Sequence, residues 1–570
     1  MEAALLPPDY PLLHARCSYV RAQVMEGHLL TAGEQQVLKY WDRLSDDAAH
    51  VHSRLLTRKR QPVRIDGFHP PVKTPLSECI RELQGVGLID QNSMIPWKSR
   101  LSTWKVPELR EACKRQSLSP KGRKSELIEE LEKQGPPQTP DAVPLVQVRH
   151  LNLFRRLNRT YLHNHDGDSS RLVLSDLGLY RNVDYSMTEG SGRFRNRKEL
   201  RRYEIALHDS LQPIAQADCL DVAYKALKQL RDQDRPVDYR WRFSGHRFHE
   251  RTLLRATLQA EKTCGPHAVI EIYQNAIRLP LHDPTHFIHR LALCLGRAGR
   301  PENGVEICQN HETKGPTGYR LTRTGRRLAR KANFVWSGSV LPPKPKPVAL
   351  KIPYPRKAAK WHTENGPQTI EKAVIQHLSK HKRIAFHAEN SFWTTLFGLL
   401  FSDAIFAPIP GMLPSPYLRA PLDLGSPGFR RRRTPIVERI FNQIRKGGAP
   451  ALVRTAHQKL EGRHIKGVVW SRFPESLLRA VCEQIQEETL AFIMNQMVDQ
   501  WHDAGRGMPD LVVLGCEEQT DIGIELPGHL FLAEIKGPTD RLRDEQHWWL
   551  STLNQMGTTA QLWHIQDRSG

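Results

Sequence analysis

The chain has 570 residues, which is long enough for three or four domains that each bury a core. It carries 83 Lys and Arg against 61 Asp and Glu, a formal net charge of +22. An excess of this size favours a polyanionic partner such as a nucleic acid, although a basic protein without that role remains the alternative. No window comes near the roughly eighteen apolar residues of a membrane-spanning helix. We therefore expect no membrane partner.

Nine cysteines are scattered along the chain without a Cys-x-x-Cys pair. An odd count without paired spacing favours a reducing compartment over a disulfide framework, and it supplies no ligand set for a zinc finger. The first thirteen residues lack the basic start and apolar run of a secretory signal. We expect a cytoplasmic, nucleoid-associated protein in a bacterium, or a nuclear protein in a eukaryote.

Residues 1–100 predict a helical N-terminal domain. Apolar spacing indicates one helix over residues 31–44, and Ser45 is placed to cap a second helix that continues to Leu55. A third short helix is predicted over residues 77–88. Packing is the default role of these apolar faces.

Residues 101–135 predict two short helices joined by a basic turn. This arrangement resembles a SAP domain, a small helical DNA-binding unit. The resemblance implies that Lys121, Arg123 and Lys124 contact phosphates, because the turn and the start of the second helix present their cations together.

Residues 136–203 predict a linker stiffened by proline, followed by a basic region. Cations are dense between Arg193 and Arg202 and surround Phe194. A cationic run with an embedded aromatic residue suits contact with a nucleic-acid backbone. The same run is equally consistent with the exposed face of a helix that begins near Lys198.

Residues 204–340 have a helical pattern throughout. Similar apolar clusters begin at Ile270 and Val305, 35 residues apart, which is close to the period of a tetratricopeptide-type helix pair. The pattern predicts a helical scaffold. Overlapping its end, Lys314 to Thr363 contains thirteen Lys and Arg and no acid, and we expect this stretch to border the path of a DNA strand.

Residues 365–570 are predicted to form the catalytic region. Helices are expected over residues 370–378 and 476–501, and Glu389 is expected in the first turn of another helix, where the helix dipole favours a carboxylate. Residues 429–466 carry eleven cations against two acids. We expect part of a surface for a 5′ phosphate or the adjoining duplex here, including the run Arg430, Arg431, Arg432 and Arg433.

Two short apolar strands near the C-terminus carry the residues for chemistry. Asp510 precedes the apolar run Leu511–Leu514, and Glu534 and Lys536 alternate within the second strand, so that both point to one face. Adjacent strands would bring both carboxylates to one divalent cation, with the ammonium beside them. This arrangement is suited to metal-assisted hydrolysis of a phosphodiester. The alternative is a solvated acid and lysine on an exposed strand.

These residues also carry a family resemblance. Gly507-Met508-Pro509-Asp510 and Glu534-Ile535-Lys536-Gly537-Pro538 resemble the VRR-NUC module, with a core at about residues 476–570. His387-Ala388-Glu389-Asn390 and Ala420-Pro421-Leu422-Asp423-Leu424 resemble the Fanconi-associated nuclease family, in a bacterial-type form. The resemblance implies a multidomain α+β protein with a mostly helical N-terminal two-thirds and a C-terminal restriction-endonuclease-like α/β domain.

The resemblance implies roles for particular residues. Glu389, Asp510, Glu534 and the backbone carbonyl of Ile535 would hold Mg²⁺ or Mn²⁺. Lys536 would assist the attacking water. Gln546 would position Lys536 or a phosphate, and its alternative is a surface amide.

The implied function is a structure-specific DNA nuclease with 5′-flap endonuclease and 5′-to-3′ exonuclease activities, acting on branched DNA in interstrand crosslink repair. Two other hypotheses remain open from the sequence. A Holliday-junction resolvase would share the nuclease core. A non-catalytic DNA-binding scaffold would carry a decayed copy of it.

Overall fold

The computed structural model describes residues 29–567 with several short gaps. The gaps are residues 59–60, 92–93, 137–143, 163–180, 187–193, 195, 233–244, 282, 312–314, 344, 358–359, 390, 414–416, 502–504 and 516–525. Most of the basic run from Arg193 to Arg195 and most of the predicted proline-rich linker therefore lie outside the described residues. No described helix is long and apolar enough to cross a membrane.

The chain divides into two compact units. The first contains Met1–Asn182, Ser191–Arg197 and Ser415–Leu418, and the second contains Val183–Gly190, Lys198–Pro414 and Arg419–Gly570. The finer division into five domains stays a prediction.

Within its described residues, the first unit combines seven helices with a small sheet. Its elements are α1 Ala32–Asp42, α2 Asp46–Leu56, β1 Val63–Arg64, α3 Leu76–Gly85, β2 Ile89–Gln91, α4 Trp97–Thr103, α5 Val106–Arg115, α6 Lys124–Gln134, β3 Leu145–Val148 and α7 Leu151–Leu162. The strands are antiparallel in the order β1-β3-β2. The predicted cap at Ser45 is present, since its side chain accepts a backbone N–H at the start of α2, and the Thr31 side chain does the same at the start of α1.

Helices α4 to α6 have a small core of their own within this unit. Leu101, Leu109, Leu127 and Leu131 are buried together, one or two from each helix. The predicted helix pair at residues 101–135 is therefore confirmed, with α5 and α6 on either side of a basic turn.

The second unit begins with a run of helices. They are α8 Arg197–Leu211, α9 Cys219–Arg231, α10 Gly245–Cys264, α11 Ile270–Ile277, α12 Thr285–Arg297, α13 Pro301–Asn310 and α14 Gly315–Ala332. The predicted helical region is confirmed, and α8 begins where the basic run was alternatively expected to become a helix. The assignment to tetratricopeptide-type repeats stays a prediction.

The remainder of the second unit is built on a five-stranded sheet. Its elements are β4 Pro347–Ile352, β5 Arg356–Lys357, β6 Lys360–Thr363, β7 Gly366–Gln368, α15 Ile370–Lys380, β8 Ala385–His387, α16 Phe392–Leu400, α17 Ser402–Ile405, α18 Pro427–Arg432, α19 Thr434–Arg445, α20 Ala449–Leu460, α21 Glu475–Gln484, α22 Glu487–Gln500, β9 Leu511–Val513, β10 Phe531–Lys536, α23 Asp544–Gln555 and β11 Ala560–Asp567. Strands β5 to β7 form a separate antiparallel sheet.

The large sheet has the order β4-β11-β10-β9-β8. Strands β4, β11 and β10 are parallel, whereas β9 runs antiparallel to both β10 and β8. Alternate residues of β9 and β10 enter two different cores. Val512 and Leu532 pack with α16 and α22, and Val513 and Phe531 pack with α15. Both faces of the sheet are therefore covered by helices.

Two local predictions were wrong in detail. The single helix expected over residues 476–501 is two helices, α21 and α22, that meet at Ile485 and Gln486. Glu389 is not in the first turn of a helix, because α16 starts at Phe392 and Glu389 lies in the turn after β8. The sheet also includes β4, a strand that precedes residue 365 and that was not predicted from the sequence to belong to it.

Candidate active site

The register of β9 and β10 brings the two predicted acids together. Ala533 pairs with Leu511, so continuing the antiparallel register by one residue places Glu534 opposite Asp510. Directly opposed residues project to the same face of a sheet. That face is the one packed against α16, α22 and α23, because Val512 and Leu532 contribute to that core. The predicted pairing of the two strands is confirmed.

Glu534 is completely buried and is held by two donors. The Lys536 ammonium donates to Glu534 Oε1 over 2.5 Å, and the Gln546 amide donates to the same oxygen. The other carboxylate oxygen, Oε2, is buried without a hydrogen-bond partner. A buried, unpartnered carboxylate oxygen is costly unless a cation or proton satisfies it.

Asp510 is fixed by the backbone on both sides. Its Oδ2 accepts the N–H of Ile535 over 2.8 Å, and its carbonyl accepts the N–H of Ala388 over 2.8 Å. The first bond ties the acid to β10, and the second ties it to the residue just after β8. Asp510 therefore sits at the end of three adjacent strands, with its carboxylate set against the strand that carries Glu534.

Glu389 and His387 complete the acidic end of the sheet. Among the described residues, single ligand atoms of His387, Glu389 and Asp510 all lie within 4.8 Å of one another. Arg472 donates to His387 Nδ1 over 2.9 Å, which leaves the proton of the neutral ring on Nε2, 4.0 Å from Glu389 Oε2. With its proton on that nitrogen, His387 is better placed to orient Glu389 than to bind a cation.

The site raises the pKa of both strand acids. Burial, with the Glu389 charge adding to it, raises the pKa of Asp510 to about 6. Burial and the Asp510 charge raise the pKa of Glu534 to about 8, despite the opposing effect of Lys536. The pKa of His387 is lowered, first by burial and then by the Arg472 charge. Three carboxylates are thus crowded into a site that water reaches poorly.

The residues fit a divalent cation. Glu389 and Asp510 lie close enough to share a cation, and Glu534 faces Asp510 across the two strands with its Oε2 lacking another described partner. Carboxylate oxygens are the hard ligands that Mg²⁺ and Mn²⁺ prefer. A bound cation would offset the repulsion that raises both pKa values. The carbonyl of Ile535 as a further ligand stays a prediction.

Comparisons with known proteins match the site to a nuclease family. A model of the VRR-NUC domain family matches residues 445–566, which include Asp510, Glu534, Lys536 and Gln546. The chain carries a VRR-NUC domain. A model of the SAP domain family matches residues 100–133, so the chain carries a SAP domain as well.

Relatives similar to most of this chain are homologues of Fanconi-associated nuclease 1. The protein from Pseudomonas aeruginosa is 24% identical over 86% of this chain and 84% of its own length. The protein from Arabidopsis thaliana is 24% identical over 95% of this chain, which spans 65% of that relative's length. The predicted similarity to the Fanconi-associated nuclease family is confirmed.

The fold is also shared with solved structures. A structure described as paFAN1 bound to 2-nucleotide 5′-flap DNA with a gap superposes with a TM-score of 0.78 at 22% identity, over 99% of each chain. A second, with a 1-nucleotide flap, gives a TM-score of 0.76 over 99% of this chain. At this identity the likeness establishes the fold, and the predicted fold class is confirmed.

Gln546 has a defined place in the VRR-NUC domain. It is 2% exposed, so the alternative of a surface amide is wrong. Its Oε1 accepts the backbone N–H of Arg543 over 3.0 Å, which turns its NH₂ group toward Glu534. The action of Gln546 on Lys536 or a phosphate stays a prediction, and in this structure its amide donates to the same oxygen of Glu534 that Lys536 binds.

Sequence reasoning missed three charged residues around the VRR-NUC site. Arg472 contacts His387, Arg543 lies 4.0 Å from Glu389, and the Glu371 charge on α15 contributes to the raised pKa of Asp510. None belongs to the strand motif, and only the fold brings them near it. For Glu371 the first-turn position on α15 is the one signal that could have marked it.

The four arginines of residues 430–433 do not form a free cationic surface. Arg433 is fully buried and donates to Asp423, which also pairs with Arg432. Arg430 binds Glu438 and Asp499. The expected contact of these three side chains with a phosphate is therefore not supported by the structure, whereas Arg431 is exposed.

The predicted contact residues of the SAP domain are all exposed. Lys121, Arg123 and Lys124 lie on the turn and at the start of α6. The Lys124 ammonium donates to the carbonyl of Ser102 over 2.9 Å, so it is partly engaged within the domain. Lys121 and Arg123 are therefore better available to a phosphate than Lys124.

Proposed function

We propose that this chain is a metal-dependent, structure-specific DNA nuclease. Its substrate is branched DNA, above all the junction of a 5′ flap, with 5′-to-3′ exonuclease activity from the same site and a role in interstrand crosslink repair. It would act on chromosomal DNA. The observation that carries the proposal is the pairing of Asp510 with Glu534 beside Lys536 in the VRR-NUC domain, with Glu389 close to Asp510 from the turn after β8.

The acids and the lysine have different roles in the proposed hydrolysis. A cation held by Asp510, Glu534 and Glu389 would supply a Lewis acid to the scissile phosphate and to the attacking water. Gln546 keeps Glu534 oriented, and the backbone of β10 keeps Asp510 oriented. Lys536 donates to Glu534 and so lies beside the acids, where its ammonium would orient the water or offset charge on the phosphate.

Three further observations support DNA as the substrate. The net charge of +22 attracts a polyanion, and the SAP domain presents exposed cations on its turn. The fold is shared with a protein that was solved on 5′-flap DNA. These observations favour a branched duplex over a small phosphodiester, because a small substrate would not need a DNA-binding domain and so large an excess of positive charge.

Removing either strand acid tests the proposal. We expect Asp510→Asn and Glu534→Gln each to lower cleavage by about a thousandfold or more, because each removes a cation ligand that acts on the reacting phosphate. DNA affinity should stay within a few fold. The assay uses end-labelled 5′-flap, 3′-flap, four-way-junction and single-strand substrates, with and without Mn²⁺.

The matched control is Glu306→Gln, which makes the same chemical change at an exposed position on α13. It should cut like the wild-type protein. If Asp510→Asn cut as well as the wild-type protein, the active site would have to lie elsewhere in the chain. Symmetric nicking of the four-way junction in preference to the flap would favour a resolvase, and binding without cutting under all conditions would favour a non-catalytic scaffold.

A further inference from the structure

The first turn of α23 joins the helical scaffold to the catalytic acid. It contains four consecutive polar residues, Asp544 to His547, and each has a partner outside the helix. Gln546 binds Glu534. Helix α14 supplies partners for the other three: Arg323 for Asp544, Arg320 for Glu545 and Tyr319 for His547.

The contact between Tyr319 and His547 differs from the two ion pairs in burial. Both residues are less than one-tenth exposed, whereas the side chains of Arg323 and Arg320 are 54% and 29% exposed. Water competes with ion pairs that it reaches, whereas a buried hydrogen bond holds its geometry. Tyr319 therefore makes the most fully buried of the three contacts between α14 and the first turn of α23.

The protonation of this pair follows from its neighbours. His547 Nε2 lies 3.0 Å from the carbonyl of Pro343, an atom that can only accept, so this nitrogen carries the ring proton. Nδ1 must then accept from the Tyr319 hydroxyl. Burial raises the pKa of Tyr319 to about 12, so the hydroxyl keeps its proton. His547 is thus bound on one side by α14 and on the other by the segment that leads into β4.

We propose that Tyr319 is a positioning residue for the nuclease site, which acts through His547 on the orientation of Gln546 against Glu534. This inference rests on the proposed metal-dependent nuclease function. Gln546 is next to His547, and its amide spans the short distance from the N-terminus of α23 to Glu534 Oε1. A shift of that first turn would withdraw the donor from the acid and change how the acid presents Oε2 to a cation.

The test compares two buried tyrosines. Tyr319→Phe removes the hydroxyl and keeps the ring. Tyr273→Phe is the matched control, because Tyr273 is also buried and donates to Glu261 over 3.3 Å within the helical scaffold. Mn²⁺ affinity is measured without DNA by the electron paramagnetic resonance of free Mn²⁺, and kcat and KM are measured on a 5′-flap substrate.

We expect Tyr319→Phe to weaken Mn²⁺ binding and to lower kcat by about three- to tenfold, the effect of one buried hydrogen bond, with KM for DNA nearly unchanged. Tyr273→Phe should leave Mn²⁺ affinity and kcat at the wild-type values. In a Gln546→Met background, Tyr319→Phe should have almost no further effect, because it acts through that amide.

Equal behaviour of the two tyrosine variants would overturn the inference, as would a full additional loss in the Gln546→Met background. Either result with an active wild-type protein refutes the positioning role alone. A wild-type protein that neither binds Mn²⁺ nor cuts any flap would instead refute the proposed function, and the inference with it.

Discussion

At the scale of residues, the site depends on how crowded carboxylates share protons and cations. Asp510 and Glu534 face each other at the end of β9 and β10, where burial raises the pKa of both. In water these pKa values would be 3.8 and 4.5. When both are ionised, these two carboxylates therefore destabilise the site, and a divalent cation bound between them would relieve their repulsion.

This arrangement predicts a pH-dependent Mn²⁺ affinity. Between about pH 4 and pH 8 the metal-free folded protein binds more protons at these acids than the unfolded chain does. Its free energy of unfolding therefore falls as pH rises through this window. Because Mn²⁺ must displace these protons, its affinity should rise by up to about tenfold per pH unit between pH 6 and 8.

Calorimetric titration in buffers of different ionisation enthalpy measures both the affinity and the protons released. Glu534→Gln should flatten the upper part of the pH dependence, because the group with the higher pKa is then absent. Affinity that does not change between pH 6 and 8 in the wild-type protein would contradict a site built from these protonated acids.

At the scale of elements, the active site is assembled by segments that approach one another closely. The segment before β9 passes against the start of α23, where a Cβ on Gly507 would lie 2.6 Å from Glu545 Cβ and 2.9 Å from Gln546 N. Gly507 also has φ of +78°, which disfavours other residues. The Trp549 indole on α23 also donates to the carbonyl of Arg506, which joins the same two segments. Gly507 thus allows the segment that leads to Asp510 to approach the start of α23, which carries Gln546.

Gly507→Ala should therefore impair both stability and cleavage. We expect a loss of at least about 2 kcal/mol in the free energy of unfolding, from the left-handed backbone and from the clash with α23. Thermal or urea unfolding measures the loss. Gly505→Ala is the control, since no atom lies within 4 Å of its Cβ and its φ is ordinary. Similar losses in both variants would show that the close approach is unimportant.

At the scale of the whole molecule, the positive charge is the feature that predicts how the protein meets DNA. Much of the charge is compensated locally, as at Arg430, Arg432 and Arg433 in the second unit. The exposed cations of the SAP domain in the first unit are a different case, because Lys121 and Arg123 lie on an open turn. We expect affinity for DNA to come from such exposed cations and cleavage to come from the VRR-NUC domain.

A double variant, Lys121→Gln with Arg123→Gln, should separate the contribution of the SAP cations to DNA affinity from cleavage by the VRR-NUC domain. Each lost phosphate contact reduces the slope of log affinity against log salt by about 0.9, so the slope should fall by up to about 2 while single-turnover cleavage at saturating protein is unchanged. The control removes the same charge through Arg115→Gln and Lys133→Gln, which pair with Glu111 and Glu130 in the same domain. Equal slopes for both variants would contradict a specific role of the turn.

The sequence by itself determined the elements whose causes are local. Caps at Thr31 and Ser45, the two SAP helices, and the strand pattern that alternates Glu534 and Lys536 all follow from spacing of a few residues. The sequence could also place Asp510 beside Glu534, because a single antiparallel pairing of the two strands brings these residues together.

Only the tertiary structure decided what depends on contacts between distant segments. The addition of β4 to the sheet, the position of Glu389 in a turn, the burial of Arg433 on Asp423 and the enclosure of α23 by α14 have no local pattern. Periodicity indicates which face of a helix or strand is apolar, but it does not indicate which other element packs against that face. The partner of a charged residue is likewise decided only by the fold. A cationic side chain binds a ligand or pairs with a neighbouring carboxylate according to what the folded chain places beside it.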